Sequence, residues 1–180
     1  FRESGDYRYA MDWGRIAWEA ADFSAAEAAY LEAAATERGS REPWPQLDLG
    51  RLYLFSDRLQ EAAEAFEQAI SIYEAFDTGS NLPSPAYVEA FFRLGQVRER
   101  QYALENDPAL LQQAADNYRN ALIGDPNYGP AQAALERLGE LQVIGASLTV
   151  DAPDLALHVR IPKIDLRLRV NGGQVRAASR

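Results

Sequence analysis

The sequence predicts a mainly α-helical protein. Three helical hairpins and a capping helix wind into an α–α superhelix, and a short antiparallel β segment follows. Three observations predict it. A block of small and aromatic residues recurs at fixed offsets along the chain. The apolar residues of each block fall on a helical period. After Leu141 the apolar period changes from helical to two.

The repeat is read first. Ala26, Tyr30 and Ala33 lie 12, 16 and 19 residues after Gly14, and Ala62, Phe66 and Ala69 lie 12, 16 and 19 after Gly50. A third block, Ala114, Tyr118 and Ala121, keeps the spacing of 4 and 3 but stands seven residues late relative to Gly95, after an insertion around 103–108. A glycine without a Cβ lets one helix approach another closely. The alanines do the same on the second helix, and the aromatic fills the wider gap.

The elements follow in order. Helices are expected at about 5–20, 23–37, 44–56, 59–76, 85–104, 108–123 and 130–142. The fourth is the clearest, because Leu59, Ala62, Ala63, Phe66, Ala69 and Ile70 make one apolar stripe with Glu61, Glu64, Glu67 and Gln68 elsewhere. Asp22, Asp57 and Asp107 stand at expected helix starts, where a carboxylate accepts from free backbone N–H groups. The segment 76–85, with Gly79, Pro83 and Pro85, is expected to be a long, mobile connection. The last helix carries Leu135, Leu138 and Leu141 on one side and is expected to cap the array.

These residues resemble the tetratricopeptide repeat, whose pattern runs W-x2-L-G-x2-Y, then A-x3-F, then P. The resemblance covers about 7–142, and the second repeat carries it best through Leu49-Gly50, Tyr53, Ala62, Phe66 and Ala69. The chain departs from the pattern at Trp13, Ala17 and Arg98. The resemblance implies a non-catalytic scaffold for protein–protein interaction, with its first helices lining a concave groove. Groove candidates counted from the Leu-Gly pairs are Arg8, Arg15, Trp44, Leu47, Arg51, Phe92 and Arg100, with Met11, Trp18, Leu54, Phe55, Gln96 and Glu99 beside them. Trp and Arg are enriched at binding hot spots. Trp18 and Phe55 fit packing between helices equally well. The family's Lys/Asn clamp for a terminal carboxylate is not matched, since Met11 and Arg15 stand where it would be. The expected ligand is therefore more apolar and extended.

Two domains are expected, a repeat domain over 1–143 and a β segment over 144–180. In the second, Leu155, Leu157, Val159, Ile161, Ile164, Leu166, Leu168 and Val170 alternate with polar or small residues. Their phase slips at Pro162-Lys163, which suggests a bulge or bend, and Asn171-Gly172-Gly173 suits a hairpin turn. Leu148, Val150 and the Asp151–Asp154 turn are expected to open the segment. Three short strands with one apolar face need a partner, either the chain's own helices or another copy.

Composition excludes much chemistry. The 180 residues include no Cys and one His, so thiolate metal sites, disulfides and thiol nucleophiles are ruled out. No cofactor is expected. The net charge of −9 speaks against nucleic acid, and no apolar run is long enough for a membrane helix. The charge is uneven: 1–143 hold 24 acidic and 12 basic residues, while 144–180 hold 3 and 6. The lack of Cys and the Phe1 start weakly favour export or the cell surface. The expected partner is a protein or peptide, with other copies of the chain a second possibility. Two further readings are a self-assembling subunit joined through the strands and a regulatory piece of a larger enzyme.

Overall fold

In the computed structural model the described backbone covers 6–76, 83–145, 156–161, 164–171 and 174–179, with side chains described in 6–76 and 83–139. The chain divides into two compact units, Phe1–Leu141 and Gln142–Arg180. The first contains α1 (Tyr7–Glu19), α2 (Phe23–Ala35), α3 (Trp44–Phe55), α4 (Leu59–Phe76), α5 (Pro85–Glu105), α6 (Pro108–Gly124) and most of α7 (Gly129–Gly145). A 3-10 turn at Gly39–Arg41 joins α2 to α3.

Helices α1 and α2, α3 and α4, and α5 and α6 pack as three hairpins, and α2 on α3 and α4 on α5 join them. Each hairpin closes at its glycine. A Cβ on Gly50 would lie 2.5 Å from the Phe66 ring, and one on Gly95 would lie 2.5 Å from the Tyr118 ring. Gly14 stands in the same way against Tyr30. The aromatic rings are themselves buried, with Phe66 and Tyr118 at 0 % exposure. The recurring offset of 16 residues is thus the path from a glycine, around the turn, to the ring that covers it.

The seven-residue insertion is absorbed by lengthening the third hairpin. Helices α1 and α3 end five residues past their glycines, at Glu19 and Phe55, whereas α5 runs ten past Gly95 to Glu105. Left-handed Asn106 then turns the chain. Asp22 and Asp107 cap α2 and α6 as expected, accepting from the N–H groups of Ala25 at 3.1 Å and Ala109 at 2.9 Å. Asp6 does the same for α1. Asp57 is a correction: it does not cap α4 but takes the left-handed turn conformation (φ 59°), as Ala21 does at the matching point of the first hairpin.

Helix α7 begins a fourth copy of the pattern. Leu138-Gly139 repeats the Leu-Gly pair, and Leu138 is buried at 1 % exposure. Yet a Cβ on Gly139 would meet nothing within 4 Å. Among the described residues this glycine lacks the covering ring that the other three have.

In the second unit, β1 (Ala156–Ile161), β2 (Ile164–Asn171) and β3 (Gln174–Ser179) form an antiparallel sheet in the order β1-β2-β3. Leu157 stands opposite Leu168, Val159 opposite Leu166, and Ile161 opposite Ile164. The phase slip expected at Pro162-Lys163 falls between β1 and β2, and those two residues lie outside the described ones. Leu148, Val150, Leu155, the Asp151–Asp154 turn, Gly172-Gly173 and most of the 76–85 connection lie outside the described residues.

The glycine contacts generate a paired expectation. Gly50→Ala is expected to destabilise the fold by about 1–3 kcal/mol through overpacking. Gly139→Ala is expected to be neutral, or to stabilise by up to about 1 kcal/mol through helix propensity. Chemical denaturation of both variants checks this; equal effects would contradict it.

Candidate functional site

Ten residues line a groove of about 560 Å³ in the helical unit: Trp18, Arg51, Leu54, Phe55, Arg93, Gln96, Glu99, Arg100, Ala103 and Arg137. Their positions share one rule. Relative to the repeat glycine they stand two before (Arg93, Arg137), one after (Arg51, Gln96), or four, five and eight after. Helical spacing puts these offsets on one face of each first helix. Because the hairpins stack, the faces of α1, α3, α5 and α7 adjoin.

One end of the groove is aromatic. The Trp18 and Phe55 ring centroids are 5.6 Å apart, and Phe23 packs 5.1 Å from Phe55. Phe55 nevertheless stays 62 % exposed, so packing leaves it an open surface.

The rest is dominated by guanidinium groups. Arg51 reaches across from α3 to the Glu89 carboxylate on α5, with its Nε at 3.1 Å, and also pairs with Asp48. Arg93 shares Glu89, with its Nε at 3.1 Å. Burial would raise the Glu89 pKa, but Arg51 and Arg93 together hold it below the ordinary value. At Asp48 burial outweighs Arg51, and the pKa is raised. Arg137 of α7 donates to both Glu99 oxygens, at 2.6 and 2.7 Å. Tyr118 donates to the same carboxylate at 2.5 Å. Arg100 is the least neutralised of the four. It donates to the Leu54 carbonyl oxygen at 2.9 Å, while the Asp57 carboxylate is 3.5 Å away. A planar guanidinium is suited to bidentate capture of a carboxylate.

Of the seven candidates read from the sequence, Arg51 and Arg100 line the groove. Leu47 and Phe92 are corrections. Both stand three residues before their glycine, a position that points into the array. Leu47 has 0 % exposure, and Phe92 packs with ring centroids 5.6 Å from Tyr118 and 5.4 Å from Tyr128. Arg8, Arg15 and Trp44 are not brought to the groove. Arg8 pairs with Asp6, Arg15 lies 3.5 Å from Asp12 and from Glu19, and Trp44 opens α3. Arg93 and Arg137 were missed. The signal for both was present, two residues before Gly95 and Gly139, but it needed the groove phase to be set one residue later.

The repeat's departure at Arg98 also has a structural account. Tyr53, three residues after Gly50, donates to Glu27 on the preceding helix α2 at 3.0 Å. Arg98, three after Gly95, reaches Glu67 on the preceding helix α4 at 2.7 Å. Different side chains make the same inter-hairpin link.

No protein-family model matches the chain, and no curated protein matches it in sequence. Solved structures do. The helical unit has the tetratricopeptide-repeat fold. The TPR domain of Arabidopsis OM64 aligns with a TM-score of 0.59 at 20% identity, over 76% of this chain and 96% of that one. The first TPR of Spaghetti (RPAP3), bound to the HSP90 peptide SRMEEVD, aligns at 0.61 and 16%, over 78% and 96%. The N-terminal domain of stress-induced protein-1 from C. elegans aligns at 0.60 and 15%, over 74% and 94%. Among the described residues no helix is long and apolar enough to cross a membrane.

The Glu89 cluster sets a pH expectation. Its folded-state pKa lies below the unfolded value, so the unfolded chain takes up the proton first as pH falls. Its stabilising contribution is complete above the ordinary glutamate range, about pH 4.3, and is lost as pH drops through the depressed value. Glu89→Gln should therefore flatten the fall of Tm between about pH 5 and pH 3. An unchanged slope would contradict the assignment.

Proposed function

We propose that the helical unit is a non-catalytic protein–protein interaction scaffold that holds an extended peptide in this groove. The observation that carries the reading is the convergence of Arg51, Arg93, Arg100 and Arg137, from three helices, beside Trp18 and Phe55, in a chain of net charge −9. Cations gathered on an acidic body select for an anionic ligand segment. The ligand in this reading carries a carboxylate for Arg100 and an apolar side chain for the Trp18–Phe55 end. The RPAP3 structure, which holds an acidic peptide on the same fold, supports the reading. The groove does not demand the family's Lys/Asn clamp, because arginines supply the positive charge.

A peptide array tests this. Acidic peptides should bind better than their amide counterparts, and Arg100→Glu should weaken capture by roughly tenfold or more without lowering Tm. Trp18→Ala should weaken it through the apolar end. Indifference to carboxylates and to both variants would overturn the proposal.

The second part of the proposal is that the β segment mediates assembly with other copies. Its support is the sheet order, in which β1 and β3 each have one strand neighbour among the described residues, and the opposition of Leu157 to Leu168 and Val159 to Leu166. Free sheet edges pair with other chains by strand addition. The groove's arginines and the basic segment repel, so edge pairing is favoured over docking into a neighbour's groove. Sedimentation should show concentration-dependent assembly of the full chain that Leu157→Asp and Leu166→Asp abolish. Monomers at all concentrations would contradict it.

A further inference from the structure

The residues inserted in the third hairpin change one end of the groove. Helices α1 and α3 stop five residues past their glycines, at Glu19 and Phe55, while α5 continues to Glu105, ten past Gly95. Ala103, eight past Gly95, lies in that extra length and lines the groove with Trp18, Leu54, Phe55 and Arg100. Among the described helices only α5 carries an eighth position past a repeat glycine. The added turns of α5 thus border the same space as the rings at the ends of α1 and α3.

Those rings are arranged to take another. The Trp18 and Phe55 planes are inclined by 51°, and those of Phe23 and Phe55 by 48°. Aromatic pairs favour inclined and edge-on contacts over flat stacking. Phe55 keeps 62 % exposure although two rings already pack on it. On the α5 side the lining holds Ala103, which has no atom beyond Cβ and is itself exposed. Arg100 brings charge to the same place. It donates at 2.9 Å to the carbonyl oxygen of Leu54, the residue before Phe55. Its bonds to Leu54 and to Asp57 use the same terminal nitrogen, so among the described residues its Nε and other terminal nitrogen are left to a carboxylate. A guanidinium also packs well on an aromatic face. This chain already makes such a contact, with Arg58 4.3 Å over the Tyr53 ring.

We infer, resting on the groove reading above, that this end is a subsite for one aromatic side chain of the bound peptide, with an acidic residue close to it in sequence. Ala103 sets the size of side chain the subsite accepts. The ligand's ring lies against Trp18 and Phe55, in the room that Ala103 leaves. Its carboxylate takes the free donors of Arg100. Because Arg100 is held at the residue before Phe55, the ring and the carboxylate belong to nearby residues. In an extended segment alternate side chains share a face, which puts the two groups on residues two apart. The insertion that lengthens the third hairpin is then the part of the fold that gives the groove its selectivity.

Peptides with Glu two residues from an anchor position, labelled with fluorescein at the far end, test this by anisotropy titration with the full chain. Affinity should rise through Ala, Leu and Phe at the anchor, with Phe roughly tenfold or more above Ala. Moving the Glu six residues away should weaken the Phe peptide. Ala103→Trp should weaken the Phe peptide by roughly tenfold or more and leave the Ala peptide unchanged, because it fills the space that the ring takes. Position 103 is exposed, so the melting temperature should hold. The absence of Cys gives a second measurement. Ala103→Cys introduces a single thiol, and saturating Phe peptide should slow its alkylation by iodoacetamide, while the Ala peptide at equal occupancy slows it far less. Equal affinity for all anchors, an unchanged ranking in Ala103→Trp, or alkylation indifferent to the Phe peptide would overturn the subsite and leave the groove reading standing. Binding by none of the peptides would overturn the groove reading and the subsite with it.

Discussion

The structure depends on the contact between a bare glycine backbone and an aromatic ring, made by Gly14 with Tyr30, Gly50 with Phe66 and Gly95 with Tyr118. No side chain with a Cβ fits at these glycines without displacing a buried ring. The contact fixes how close the two helices of a hairpin come, and with it the rotation of the first helix about its own axis. Every other assignment follows from that rotation. The groove residues are drawn from positions two before and one, four, five and eight after the glycine, most fully in α5. Positions five before, one before and two after face the preceding hairpin. Positions three before turn inward, as Leu47 and Phe92 do.

Between hairpins the apolar packing is supplemented by charged links. Glu27 is joined to Arg58 at 2.8 Å and to Tyr53, Glu67 to Arg98, and Glu99 to Arg137. Each glutamate is held by an arginine from the next hairpin or from α7. At Glu27 the Arg58 hydrogen bond is the chief reason the carboxyl pKa is lowered, and burial opposes it. Exposed ion pairs contribute little individually. Their value here is orientation, since a planar guanidinium shared between neighbours holds adjoining helix faces in register. Of these groups Glu99 and Arg137 also line the groove, as Arg51 does, so the contacts that tie them into the array also fix them at its surface.

Much of this was legible in the sequence because the governing contact is local and periodic. The offset from glycine to aromatic spans one hairpin, so the repeat, the helices and the lengthened third hairpin could be read directly. The groove was legible only in part. Choosing Phe92 over Arg93 is a phase error of one residue, about 100° of helix rotation, which is enough to move a side chain from groove to core. Arg137 was passed over because α7 reads as a cap, although Leu138-Gly139 marks it as another first helix. Asp57 misled because Asp suits both a helix cap and a left-handed turn, and the chain geometry before α4 decides for the turn. Trp13 was visible as a departure from the repeat, but its exposure follows only from the array having no described helix on that side.

The central claim is that stability is organised by these contacts from the middle of the array outward, since each hairpin is supported mainly by its neighbours. Native-state hydrogen exchange measures this most directly. The account predicts the highest protection in α3, α4 and α5, with protection falling toward α1 and α7, which end the described array and have a described hairpin on one side only. Protection that is uniform along the array, or greatest in α1, would contradict it.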